Sequence, residues 1–84
     1  MSKSRQRNER DWPDREDLPD SRRRYWKRKT GRRWGYQIFW KDVVFDATSG
    51  LETTVKVWQE IYSDDGRLVE VHHKYPDDTG HQLV

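Results

Sequence analysis

Between Arg33 and Tyr75 the bulky apolar residues recur at every second position, a period that suits a pleated strand and not a helix. Trp34, Tyr36, Ile38 and Trp40 alternate with Arg33, Gly35, Gln37, Phe39 and Lys41. The rings and branched chains among them are strong β-formers. Val43, Val44 and Phe45 extend the strand past a bend near Lys41-Asp42, and Asp46 to Glu52, with Ser49-Gly50, reads as a loop. Residues 53–75 then form a hairpin around Ser63-Asp64-Asp65-Gly66-Arg67. A two-residue loop at Asp65-Gly66 would pair Ile61 with Glu70 and Val57 with Lys74. A three-residue loop, Asp64-Asp65-Gly66, pairs Ile61 with Val69, Gln59 with Val71, Val57 with His73 and Val55 with Tyr75. The second register gathers the apolar residues on one face and is the expected one. Gly66 then takes the left-handed position of a bulged turn. Lys56, Trp58, Glu60, Tyr62, Leu68, Glu70, His72 and Lys74 fall on the outer face. Pro76 and Asp77-Asp78-Thr79-Gly80 end the strand and leave His81 to Val84 as a tail.

The expected fold is mainly β: a three- to four-stranded antiparallel meander with a C-terminal hairpin over residues 34–84, a small α+β arrangement being the variant. Its apolar face carries Trp34, Tyr36, Ile38, Trp40, Val55, Val57, Ile61, Val69, Val71 and Tyr75. Three strands with one such face can just stand alone. Few residues remain to cover that face, so the N-terminal arm, a second copy of the chain or another partner must do it.

Composition explains the small size of that domain. Leu, Ile, Val and Phe number 15 of 84 residues, a level that favours disorder. Five Trp and four Tyr offset this, because each ring buries a large area. Those rings concentrate after residue 24. Residues 1–20 hold only Met1, Trp12 and Leu18 as sizeable apolar groups, with Pro13 and Pro19 interrupting any helix, and are expected to be a disordered arm. Cysteine is absent, which excludes disulfides and thiolate metal sites. No apolar run is long enough to span a membrane and no signal-peptide core follows Met1, so a cytoplasmic location is expected.

The formal charge of +2 is unevenly spread. Residues 1–21 sum to −1, residues 22–33 to +8 and residues 34–84 to −5. All the positive excess lies in one segment, expected as a basic linker or a short helix or strand over residues 21–33. Ser21 could cap a helix that Gly31 ends. The rival is a strand from Arg23 to Lys29 that turns at Thr30-Gly31 and sets Tyr25 opposite Tyr36. That register would also oppose Lys29 to Arg32 and Arg28 to Arg33, and opposed like charges destabilise. A helix-like or irregular arm is therefore favoured.

Arg22, Arg23, Arg24, Lys27, Arg28, Lys29, Arg32 and Arg33 are interleaved with Tyr25, Trp26 and Trp34. Cations attract phosphates, Arg adds bidentate hydrogen bonds, and aromatic rings stack on unpaired bases. These eleven residues are the candidate site, with RNA or DNA as the partner. The competing reading is a solvated basic segment paired with the chain's own carboxylates, which leads to a protein-interaction or homodimerisation module acting through the aromatic face. Tyr25 to Trp40 (Tyr-Trp-Lys-Arg-Lys-Thr-Gly-Arg-Arg-Trp-Gly-Tyr-Gln-Ile-Phe-Trp) resembles the opening hairpin of three-stranded-sheet DNA readers of the plant AP2 type. That resemblance implies DNA contacts from Arg and Trp on the strands, and an amphipathic helix behind the sheet that this sequence does not display.

His72, His73 and His81 are the only histidines. The stretch Val71-His72-His73-Lys74-Tyr75-Pro76-Asp77 resembles the His-centred strand of small RNA-cleaving bacterial toxins, and the start of the His-Asn-His nuclease motif. It implies a second alternative, a His-dependent nuclease. Adjacent strand residues point to opposite faces, so His72 and His73 do not readily share a metal ion. The turn sequences lack the spacing of a calcium loop, and no glycine motif cradles phosphate. The expectation is a binding protein rather than an enzyme, without cofactor, metal or membrane partner.

Overall fold

The computed structural model describes residues 2–30 and 35–84. Within them the chain forms α1 (Lys3–Asp11), β1 (Asp14–Leu18), β2 (Arg22–Thr30), β3 (Tyr36–Phe45), β4 (Glu52–Tyr62), β5 (Leu68–Tyr75) and β6 (Gly80–Leu83). The strands build one sheet in the order β1-β2-β3-β4-β5-β6, each antiparallel to its neighbour. The fold is thus the expected antiparallel meander. Six strands form it among the described residues, instead of three or four, and no helix there is long and apolar enough to cross a membrane.

The additional order lies where a disordered arm and a tail were expected. β1 sets Glu16 opposite Arg24 and Asp17 opposite Arg23, so opposite charges across the ladder do what apolar residues do elsewhere. Its connection to β2 turns through Asp20 and Ser21, both left-handed with φ of 64° and 58°. α1 has no apolar stripe to bury. Ser2 caps it, accepting from the Arg5 amide at 3.2 Å, and Arg5 pairs with Glu9 one turn on at 3.0 Å. Polar contacts to the sheet hold it, which is why apolar patterning gave no sign of it. β6 adds the last strand, with His81 opposite His72.

The basic segment is a strand and not a helix or an irregular arm. β2 pairs with β3 so that Tyr25 lies opposite Lys41, Arg24 opposite Asp42, Arg28 opposite Ile38 and Lys29 opposite Gln37. This register differs from the Tyr25–Tyr36 pairing of the rival strand reading and is free of the repulsion that counted against it. Arg32, Arg33 and Trp34 lie outside the described residues, as does the expected turn at Gly31.

The hairpin turn is as expected where it is tightest. The Ser63 amide donates to the Arg67 carbonyl at 2.9 Å, enclosing Asp64-Asp65-Gly66, and Gly66 is left-handed with φ of 85°. Beyond Tyr62↔Leu68 a bulge shifts the pairing to Ile61↔Glu70, Glu60↔Val71 and Trp58↔His73, and a second bulge gives Val57↔Tyr75. The expected pairs Ile61–Val69 to Val55–Tyr75 are therefore not formed. A one-residue shift turns side chains to the other face.

The expected assignment of faces changes accordingly. β3 and β4 pair Tyr36 with Tyr62, Ile38 with Glu60 and Trp40 with Trp58. Trp58 and Tyr62, expected outside, therefore share the face of Tyr36 and Trp40. Val57 and Ile61 lie on the opposite face with Lys41 and Gln37. The bend expected near Lys41-Asp42 is a register shift between Asp42 and Val43. α1 covers one end of the second face, which we call the helix face. The fully buried apolar side chains there are Tyr25 and Val43. The aromatic face has no covering element among the described residues, and α1, behind the sheet, is polar throughout and not the amphipathic helix that the DNA-reader resemblance implied.

Candidate functional site

Strand alternation divides the basic segment in two. Arg22, Arg24, Trp26 and Arg28 project from the aromatic face, and Arg23, Tyr25, Lys27 and Lys29 from the helix face. The second set includes two residues committed to structure. Arg23 donates to Asp17 and to Glu52, each at 2.6 Å, and Tyr25 donates to Glu52 at 2.6 Å with its ring fully buried. Neither presents a surface to a ligand in this fold. Lys27 and Lys29 extend over the Phe39 ring.

On the aromatic face three indoles stand side by side across three strands. Trp26 on β2 lies opposite Trp40 on β3, their ring centroids 5.7 Å apart at 38°. Trp40 lies opposite Trp58 on β4, nearly parallel at 5.8 Å and 12°. Four residues along, Tyr36 and Tyr62 stack at 4.9 Å and 11°. All five rings remain half-exposed. Glu60 sits between the two groups and accepts from Trp40 Nε1 at 2.6 Å and from the Tyr62 hydroxyl at 3.0 Å. Burial, then this carboxylate, pushes the Tyr62 hydroxyl up to about 12.

Four cations border the rings. The Arg24 guanidinium lies 5.9 Å from the Trp40 centroid and 5.4 Å from that of Trp58. It binds both oxygens of the buried Asp42, at 2.8 and 3.0 Å, so its charge is largely neutralised. Arg22 reaches the same carboxylate only at 3.9 Å. Arg28 lies 3.9 Å above Tyr36, and Lys56 lies 4.6 Å above Trp58. Neither forms an ion pair among the described residues. The result is a flat aromatic surface with positive charge at its margins, an arrangement suited to a planar ligand that carries negative charge at its edges.

Sequence reading placed Tyr36 and Trp40 on the uncovered apolar face and Lys56, Trp58 and Tyr62 on the outer one, and counted none of the five among the nucleic-acid contacts. The signal is present: Tyr36 and Trp40 are four apart, as are Trp58 and Tyr62, in mirrored order. A single antiparallel register brings both pairs together.

His72 and His81 are engaged elsewhere, and His73 borders the aromatic face beside Trp58. His72 Nε2 lies 2.6 Å from Asp78 Oδ1, while its Nδ1 is enclosed without a hydrogen-bond partner. That leaves neither ring nitrogen open for proton exchange with a substrate. The His81 ring is 4.5 Å from that of His72 and its Nδ1 is 3.4 Å from Glu70. Among the described residues no three His, Asp or Glu side chains converge as metal ligands. No family model, curated protein or solved structure matches the chain.

Proposed function

We propose that the chain binds single-stranded nucleic acid on the aromatic face. The observation that carries this reading is the row of half-exposed indoles, Trp26, Trp40 and Trp58, with Arg22, Arg28 and Lys56 around it. Unpaired bases stack on such rings for about 1–3 kcal/mol each, while duplex bases are already stacked on one another. Arg28 and Lys56 supply phosphate contacts at the margins. The reading keeps Arg22, Trp26 and Arg28 of the basic segment as contacts, leaves Arg24 to its pairing with Asp42, and adds Trp40, Lys56 and Trp58.

Anisotropy titration of labelled single-stranded RNA, single-stranded DNA and duplex DNA at two salt concentrations tests it. Expected are salt-sensitive binding, preference for single strands, and quenching of tryptophan fluorescence. Trp58→Ala should weaken binding by about 5- to 150-fold, the equivalent of one stacked base. Absence of binding at low salt would overturn the proposal.

A second reading has its own support. Asp42 and Glu60 lie on the same face as the cations, and Leu68 and Val71 flank the rings, a mixture that also suits a protein surface or a second copy of the chain. Light scattering across a concentration series separates the two, since self-association through this face would compete with the oligonucleotide.

A further inference from the structure

Three lysines converge on one ring on the opposite side of the sheet. Lys27 and Lys29 approach Phe39 from β2, with Nζ 6.0 and 5.3 Å from the ring centroid. Lys74 approaches from β5, reaching past β4 to 4.8 Å. It is the extra residue of the second bulge in the β4–β5 ladder, between His73 and Tyr75. Lys27 also lies 4.5 Å from the Trp12 ring. Lys29 and Lys74 are exposed, and Phe39 beneath them is half-buried.

Among the described residues none of the three ammoniums forms an ion pair or a hydrogen bond. The acids nearest in charge terms are occupied elsewhere. Asp11 is held low first by Arg10 and only weakly by Lys27. Asp78 is held low first by the Gly80 amide, then by His72, and only weakly by Lys74. Beside Phe39 on that face, Gln59 and Gln37 are hydrogen-bonded to each other and neutral, and Lys41, which donates to Asn8, adds a further cation and not an anion. Attraction to a ring quadrupole is worth about 0.5–1 kcal/mol per exposed cation, and it does not remove the repulsion among three like charges. A compact anion between them does. A phosphate group fits: it carries up to two charges and three acceptor oxygens, one for each ammonium, and lysine binds it as a point charge without demanding planar geometry.

We propose that Lys27, Lys29 and Lys74 form a phosphate-binding site above Phe39. The phosphate is either a terminal or backbone group of a nucleic acid or a free anion. This site does not rest on the aromatic-face reading, because it uses the other face and different residues.

Calorimetric titration with sodium pyrophosphate against sodium chloride of equal ionic strength tests the site. Lys74→Gln and Lys29→Gln, both at exposed positions, should each weaken pyrophosphate binding by about fivefold. Lys3→Gln on α1, which removes the same charge elsewhere, should leave it unchanged. Oligonucleotides with a 5′-phosphate or a 5′-hydroxyl distinguish the sources. A preference for the phosphorylated end that Lys74→Gln abolishes assigns the phosphate to nucleic acid. Equal affinity for both ends, with pyrophosphate binding intact, assigns it to a free anion. Pyrophosphate heat no greater than that of chloride, or equal weakening by Lys3→Gln, overturns the proposal. Since pyrophosphate carries no base, its result is independent of whether the aromatic face binds oligonucleotides.

Discussion

At the scale of single residues, the side chain that most determines this structure is Glu52. Its carboxylate is wholly enclosed and accepts from Arg23 Nη1 at 2.6 Å, the Tyr25 hydroxyl at 2.6 Å and Asn8 Nδ2 at 2.9 Å. Burying a charge is costly unless it is paired and hydrogen-bonded, and here three donors, two from β2 and one from α1, do both. Glu52→Ala leaves Arg23 buried with only the exposed Asp17 as partner, and should cost about 3–5 kcal/mol in urea unfolding. A loss below about 1 kcal/mol would show that the cluster contributes little. The same cluster sets an alkaline limit. Burial, then the Glu52 carboxylate, pushes the Tyr25 hydroxyl up to about 12 from an ordinary 10.0. A raised value in the folded state means that the folded chain keeps the proton longer than the unfolded one. The stabilisation is complete below pH 10 and disappears as the pH rises toward 12, with Tyr62 acting in the same direction. Unfolding free energies at pH 8 and 11 should therefore fall for the native chain, and fall less for Tyr25→Phe.

Elements behave differently according to what holds them. Nine residues are too few for an independent helix, so α1 depends on its seat. That seat is polar: Ser2 Oγ donates to the Gly50 carbonyl at 2.7 Å, Ser4 Oγ accepts from the Glu52 amide at 2.9 Å, and Asn8 accepts from Lys41 at 2.7 Å while donating to Glu52. Asn8→Ala should free α1 amides to exchange while β3 and β4 keep their protection. Equal loss of protection in all three would show that helix and sheet unfold together. The same contrast explains what the sequence displayed. Alternation along Tyr36–Trp40 and Asp65-Gly66 at a turn are local signals, and both elements are found. α1 answers to hydrogen-bond partners many residues distant, such as Glu52 and Lys41 for Asn8, and no local window contains them; β1 is held by charge, Asp17 meeting Arg23 only six residues on, which apolar patterning does not register. The face assignment failed for a third reason: the β3–β4 register sets Tyr62 and Trp58, and not Ile61 and Val57, beside Tyr36 and Trp40, and bulges then change the partners on β5. Val69 and Lys74 are inserted as bulges, and each shifts the pairing beyond it by one residue. Among the candidate site residues, alternation alone would have separated Tyr25 and Arg23 from Trp26 and Arg28 once β2 was recognised as a strand. Trp40 and Trp58 required the register between β3 and β4.

For the whole molecule, the decisive fact is how little of it is enclosed. Among the described residues an open sheet of extents 43 × 23 × 21 Å has one short helix over part of one face, and Tyr25 and Val43 are its fully buried apolar side chains. Its outer strands are guarded by charge and brevity: β1 reads Asp14-Arg15-Glu16-Asp17-Leu18, and β6 has four residues. The surface proposed for binding is therefore the aromatic face and not an edge. A chain of this size with so small a core is marginally stable, and whatever occupies that face must stabilise it by mass action. Single-stranded oligonucleotide at a hundred times its Kd adds about 2.7 kcal/mol, which for a domain of this length raises Tm by roughly 10–20 °C. Thermal melts should show that shift with single-stranded DNA or RNA. Trp58→Ala should reduce it, while Lys3→Gln, away from the face, should not. If Tm instead rises with protein concentration and ignores oligonucleotide, the indoles are covered by a second copy of the chain, and Trp58→Ala should then remove the concentration dependence.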